Sequence, residues 1–157
     1  MKMRATAAIA VLIASSPALA CQPPRDMPAD PAAAAQYWER ARTGWEKHVV
    51  SQSPVLVVAK VSARLGGKDL VPMPPDAPYR FTLTAIKVLR GAPGRKLVGE
   101  YSNHMCDDFK VGVAQGGVYL LAMNGERILV AAPLIEGQER DGVGKFFTRI
   151  GEPDPWD

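Results

Sequence analysis

Residues 79–91, YRFTLTAIKVLRG, place Tyr79, Phe81, Leu83 and Ala85 on one face, and then Ile86 and Val88 add apolar character to the other. Alternation with a period of two marks a half-buried strand. A change of face within so long a strand is what a bulge or bend produces when the strand curls round a closed sheet. The stretch therefore predicts a barrel strand rather than the strand of a flat, open sheet.

The flanking segments supply the remaining strands. Upstream, VLVVAKVSAR (55–64) alternates at Val57, Ala59, Val61 and Ala63, which predicts a strand with one buried face, ended by Gly66-Gly67. The proline-rich LVPMPPDAP (70–78) is expected to form a surface loop. Downstream of a turn at Gly91-Ala92-Pro93-Gly94, KLVGEYSN (96–103) predicts a shorter strand. A turn region, VGVAQGG (111–117), then leads into VYLLAM (118–123) and RILVAAPLI (127–135), joined through Asn124-Gly125. Asn-Gly between two apolar runs is a strong hairpin signal. The charged run Glu136–Gly142 is expected to be a solvated loop, followed by a short final helix from Gly142 to Ile150.

Before the strands, Asp30-Pro31 has the form of a helix start, a side-chain cap followed by a residue with its first turn pre-set. Trp38, Ala41, Trp45 and Val49 recur at helical spacing, with Glu39, Arg40, Arg42, Glu46 and Lys47 mostly on the other side. A helix over 32–50 is expected, packed through its tryptophans. The fold class that follows is mostly β: a small five-stranded antiparallel OB-type barrel with an N-terminal helix and a short C-terminal one. The same periodicities also fit a small sandwich.

Residues 1–20 carry Lys2 and Arg4, an apolar stretch from Ala5 to Ala14, and Ala18-Leu19-Ala20 in the small-x-small form of a cleavage site. A secretory signal peptide is expected, since a membrane helix needs roughly 20 apolar residues. Its removal would leave 137 of the 157 residues, with 17 Lys+Arg against 16 Asp+Glu. The mature organisation is then a proline-rich tether over 21–31 and one domain over 32–157. A near-neutral surface without clusters of cations gives nucleic acid no electrostatic footprint, so no nucleic-acid partner is expected. The predicted location is periplasmic or secreted.

Two cysteines in an oxidising compartment are expected to pair, and Cys21 to Cys106 is the only intramolecular choice. Closing so long a loop stabilises by up to about 4.6 kcal/mol in the chain-entropy model. The alternative is a lipoprotein whose Cys21 is acylated, the one case in which a membrane partner follows. It requires a lipobox, and Ala18 and Leu19 stand in the opposite order to one.

His104, Cys106, Asp107 and Asp108 bring metal-ligating residue types together, but without the paired spacing of a four-ligand site. There is no Gly-x-Ser-x-Gly elbow, phosphate-cradling loop or Cys-x-x-Cys pair. No catalytic residue, metal or cofactor is therefore expected, and the chain is read as a binding protein and not an enzyme.

Taken together, Cys21, residues 55–61, residues 81–91, Cys106-Asp107-Asp108-Phe109 and Gly117-Val118-Tyr119-Leu120-Leu121-Ala122 resemble the netrin-like domain related to tissue inhibitors of metalloproteinases, bacterial members included. The resemblance spans about residues 53–125 plus Cys21. It implies an OB-fold barrel whose N-terminal cysteine is tied to Cys106. It also implies a protein partner of the metalloprotease class, met by Cys21 and Gln22, the Cys21 amine and carbonyl chelating the partner's zinc. The sequence departs from the family in following Cys21 with Gln22-Pro23 and in placing a helix before the first strand. Two other functions stay open beside it: a lipid-anchored envelope protein with a structural role, and a ligand-binding barrel that stacks on Trp38, Trp45 or Tyr119.

Overall fold

The computed structural model describes residues 24–65, 79–101 and 113–156. In chain order they form α1 (Pro31–Gln52), β1 (Val55–Leu65), β2 (Tyr79–Arg90), β3 (Lys96–Tyr101), β4 (Val118–Asn124), β5 (Arg127–Leu134) and α2 (Glu139–Ile150). The strands close into a barrel in the order β1-β2-β3-β5-β4, which is an OB-type order. Four of the five pairings are antiparallel, and the seam between β3 and β5 is parallel, paired at Glu100 and Arg127.

The barrel has two apolar layers. Val57, Ala59 and Val61 of β1, Phe81 and Leu83 of β2, Leu121 and Met123 of β4 and Ile128 of β5 fill its interior. Leu56, Val58, Leu120, Ala122, Val130 and Ala132 face the other way and are covered by Val50 of α1 and by Val143, Phe146, Phe147 and Ile150 of α2. This corrects the expectation of one buried face for β1. Leu56, Val57, Val58 and Ala59 are all fully buried, because the helices cover the outer side of β1, β4 and β5.

The face change expected in β2 is present as a register irregularity. Ala59 pairs with Ala85 and Val58 with Lys87, so Ile86 is the extra residue; Leu89 is extra in the same way between Val88 and Arg90. A comparable shift in β5, where Ala122 pairs with Val130 and Met123 with Ile128, leaves Leu129 extra. That one residue sends Ile128 into the barrel and Val130 out under the helices. Gly99 serves the interior by having no side chain: a Cβ there would sit 2.6 Å from Ile128 Cδ1 and 2.8 Å from Leu83 Cδ1.

The helix ends follow from capping. Asp30 accepts from Ala33 N at 2.8 Å and Pro31 opens α1, as expected, and the helix continues two residues past Val50 to Gln52. Its C-terminal carbonyls are met by Arg90, whose Nη1 donates to Val50 O at 2.7 Å and Ser53 O at 3.1 Å. The second helix starts earlier than Gly142, so Glu139–Gly142 form its first turn and only the front of the charged run is a turn. Gln138 supplies no side-chain cap; instead Gly137 N donates to Glu139 at 2.8 Å, which holds that carboxyl below its ordinary range. Gly151 ends the helix in the left-handed conformation at φ 69°.

Candidate functional site at the barrel mouth

β1, β3 and β5 end, and β2 and β4 begin, at the same end of the barrel, hereafter the mouth. A cleft of about 520 Å³ lies there, lined by Arg64, Tyr79, Phe81, Tyr101, Val113, Ala114 and Gln115. Strand pairing assembles it: Tyr79 is opposite Tyr101, and Arg64 is opposite Phe81. The Arg64 guanidinium stacks 4.2 Å from the Tyr79 ring centre, and Tyr79 and Phe81 lie 6.4 Å apart with rings tilted by 31°. Phe81, Tyr101 and Tyr119 are almost wholly buried, while Tyr79 is half-buried at the rim. Tyr119 accepts from Ala114 N at 2.9 Å, which ties the segment before β4 to the barrel. What the cleft presents to solvent is chiefly the Tyr79 ring with the Arg64 guanidinium stacked on it, over a buried aromatic floor.

A larger depression, about 910 Å³, runs along the solvent side of α2 between Gly137 and Trp156. It is open, and Lys145 in it is paired with Asp141 at 2.6 Å. A cleft of about 360 Å³ lies where Arg42, Leu134, Ile135 and Arg149 meet. Its two arginines converge on one carboxylate. Glu46 is 2 % exposed, with Arg42 Nε 3.1 Å from Oε1 and Arg149 Nη2 2.7 Å from Oε2, the latter a charge contact without hydrogen-bond alignment. Helical spacing places Glu46 on the polar side of α1, and the structure buries it instead. The i,i+4 spacing of Arg42 and Glu46 was the available signal, but its burial depends on α2, which covers it from outside α1.

The residues singled out in the sequence are distributed as follows. Cys21, Gln22, His104, Cys106, Asp107 and Asp108 lie outside the described residues, and the expected disulfide with them. Trp45 and Val49 pack against the outer apolar layer. Trp38 is half-buried and meets Tyr37 edge-on at 5.8 Å. Tyr119 packs in the barrel interior and is almost wholly buried. His48 is exposed on α1. Among the described residues, no three of His, Cys, Asp and Glu approach closely enough to hold a metal ion, and no helix is long and apolar enough to cross a membrane. Periodicity alone does not group the mouth residues Arg64, Tyr79 and Tyr101, because what unites them is strand register rather than proximity in sequence.

Compared with known proteins, the chain matches no family model, no curated protein and no solved structure.

Proposed function

We propose that the chain is an exported, non-catalytic binding module that meets a protein partner at the mouth of its barrel. In this reading a Cys21–Cys106 disulfide ties the N-terminal tether to the mouth. The netrin-like resemblance supplies the contact edge, Cys21 and Gln22, and a zinc metalloprotease as the partner class.

The observation that carries the proposal is the course of α1. Its C-terminal end is fixed by Arg90 at the far end of the barrel, and by Arg42 the helix has reached Leu134, at the mouth. The turns before Arg42 carry its N-terminus roughly 16 Å further on. There Tyr37 donates to Asp26 at 3.2 Å, so the chain leading back to Cys21 folds against the helix. Cys106 follows five residues after Tyr101, and β3 ends at the mouth. The described residues nearest each cysteine in sequence, Pro24 and Tyr101, lie toward the same end of the barrel, which supports the bridge.

The inhibitory form of the proposal depends on a free amine at Cys21. Adding one residue before Cys21 should abolish inhibition of a zinc metalloprotease panel, because an amide nitrogen is a far poorer metal ligand than a neutral amine. Equal inhibition by extended and unextended chains would remove chelation. Binding that survives the extension and is weakened by Arg64→Ala would keep the mouth as the site without it. Tryptophan and tyrosine spectra of both variants report whether the barrel remains folded.

A further inference from the structure

The end of the barrel opposite the mouth is formed by the hairpin of β2 and β3. β2 pairs with β1 as far as Arg90, but with β3 only as far as Thr84, after which Ala85 N donates to Arg95 O at 2.9 Å. Beyond that bond, residues 86–90 have no strand on their other side among the described residues. Ile86 is 48 % and Val88 37 % exposed there. From Lys87 to Lys96 the chain carries four cations and no carboxylate.

Elsewhere on the surface, Lys47, Lys60, Arg80, Lys145 and Arg149 each meet a carboxylate. Arg25, Arg40 and Arg127 are exposed and form no ion pair among the described residues. Lys87, Arg95 and Lys96 are exposed and form no ion pair among the described residues; Lys87 lies 5.7 Å from the Trp156 ring centre. Three of the unpaired exposed cations thus lie at this one barrel end, on the same hairpin as the exposed Ile86 and Val88.

Two features decide what this end fits. The extra residues Ile86 and Leu89 break the regular ladder along the free edge of β2, so it is a poor template for an added strand. None of the clefts described above is lined by these residues, so the patch offers no cavity for shape recognition. Exposed aliphatic side chains among unpaired cations suit a diffuse anionic surface with an apolar layer beneath it. We infer that the hairpin end docks the protein on an anionic phospholipid surface. Docking there turns the mouth away from the bilayer, toward whatever it binds.

The test is co-sedimentation of the mature chain with phosphatidylcholine vesicles containing about a third phosphatidylglycerol, at low and at high salt. Binding is expected on the anionic vesicles, little on pure phosphatidylcholine, and release by salt. K87Q/R95Q/K96Q should lose on the order of 100-fold in affinity, since each cation near such a surface contributes about a factor of five to ten. Ile86→Ser with Val88→Thr should weaken binding separately, while K60Q/K145Q, which removes two cations elsewhere, should not. Thermal melts of each variant exclude unfolding as the cause. Equal binding to neutral vesicles, no binding at all, or binding untouched by the triple variant would overturn the inference. So would retention only by soluble polyanions such as RNA.

Discussion

Phe147→Ala is expected to destabilise the protein by about 3–5 kcal/mol, the usual cost of deleting a fully buried phenyl ring. Phe147 is 2 % exposed and belongs to the apolar layer between the barrel and the helices, edge-on to Phe146 at 5.5 Å. Its loss removes contact from the face of α2 that covers β4 and β5, where Val143 and Ile150 are also buried. Urea unfolding followed by tryptophan fluorescence measures it, because Trp45 and Trp156 pack against the same layer. A midpoint unchanged from wild type would mean that α2 is not packed on the barrel in solution. Phe147→Leu, which keeps most of the apolar volume, should recover much of the difference.

Glu46→Ala is expected to cost roughly 2–4 kcal/mol, somewhat below the range for breaking a fully buried pair. The carboxylate is buried, but Arg42 and Arg149 keep about a third of their side-chain surface and can return part of their charge to water. What remains is two like charges facing each other across the join of α1 and α2, with Arg149 left its longer contact to Glu39 at 3.7 Å, a 3.4 Å bond to Thr43 and its stacking 5.1 Å from the Phe146 ring centre. Replacing Glu46 and Arg149 together by methionine should be much less damaging than Glu46→Ala, since apolar side chains of similar volume commonly substitute for a buried pair at little cost. Equal losses in the two variants would show that the charge contact is not what joins the helices. The course of α1 toward the mouth depends on this join, so the Glu46 variant should also weaken partner binding.

The elements with strong periodicity were legible in the sequence. The alternation in residues 79–90 and its change of face predicted a long strand with an irregularity, and the structure has one at Ile86. Asp30-Pro31 marked the start of α1 through the chemistry of a single cap. Gly125 does take the positive φ of a hairpin turn, although the turn centres on Gly125-Glu126, with Asn124 the last residue of β4.

Other features were less legible because they are set by tertiary contacts. Leu56 and Val58 read as the outer face of a one-sided strand, and only the docking of both helices buries them. Glu46 read as solvated for the same reason. The start of α2 was missed because Gln138 is not a capping side chain and Gly142 looks like a turn; the acids Glu139 and Asp141, favourable at a helix N-terminus, were the usable signal. At the mouth, Arg64, Tyr79 and Tyr101 come together through the pairing of three strands. Pairing register is a weaker sequence signal than the existence of each strand.

The central claim is that Cys21 and Cys106 tie the N-terminal tether to the mouth of an exported barrel. Intact mass of the protein recovered from its native envelope, with thiol alkylation before and after reduction, tests it most directly. The account predicts a chain beginning at Cys21, without acyl groups, whose two thiols are alkylated only after reduction. An acylated Cys21 with Cys106 freely alkylated would contradict it, removing both the bridge and the free amine from the mouth.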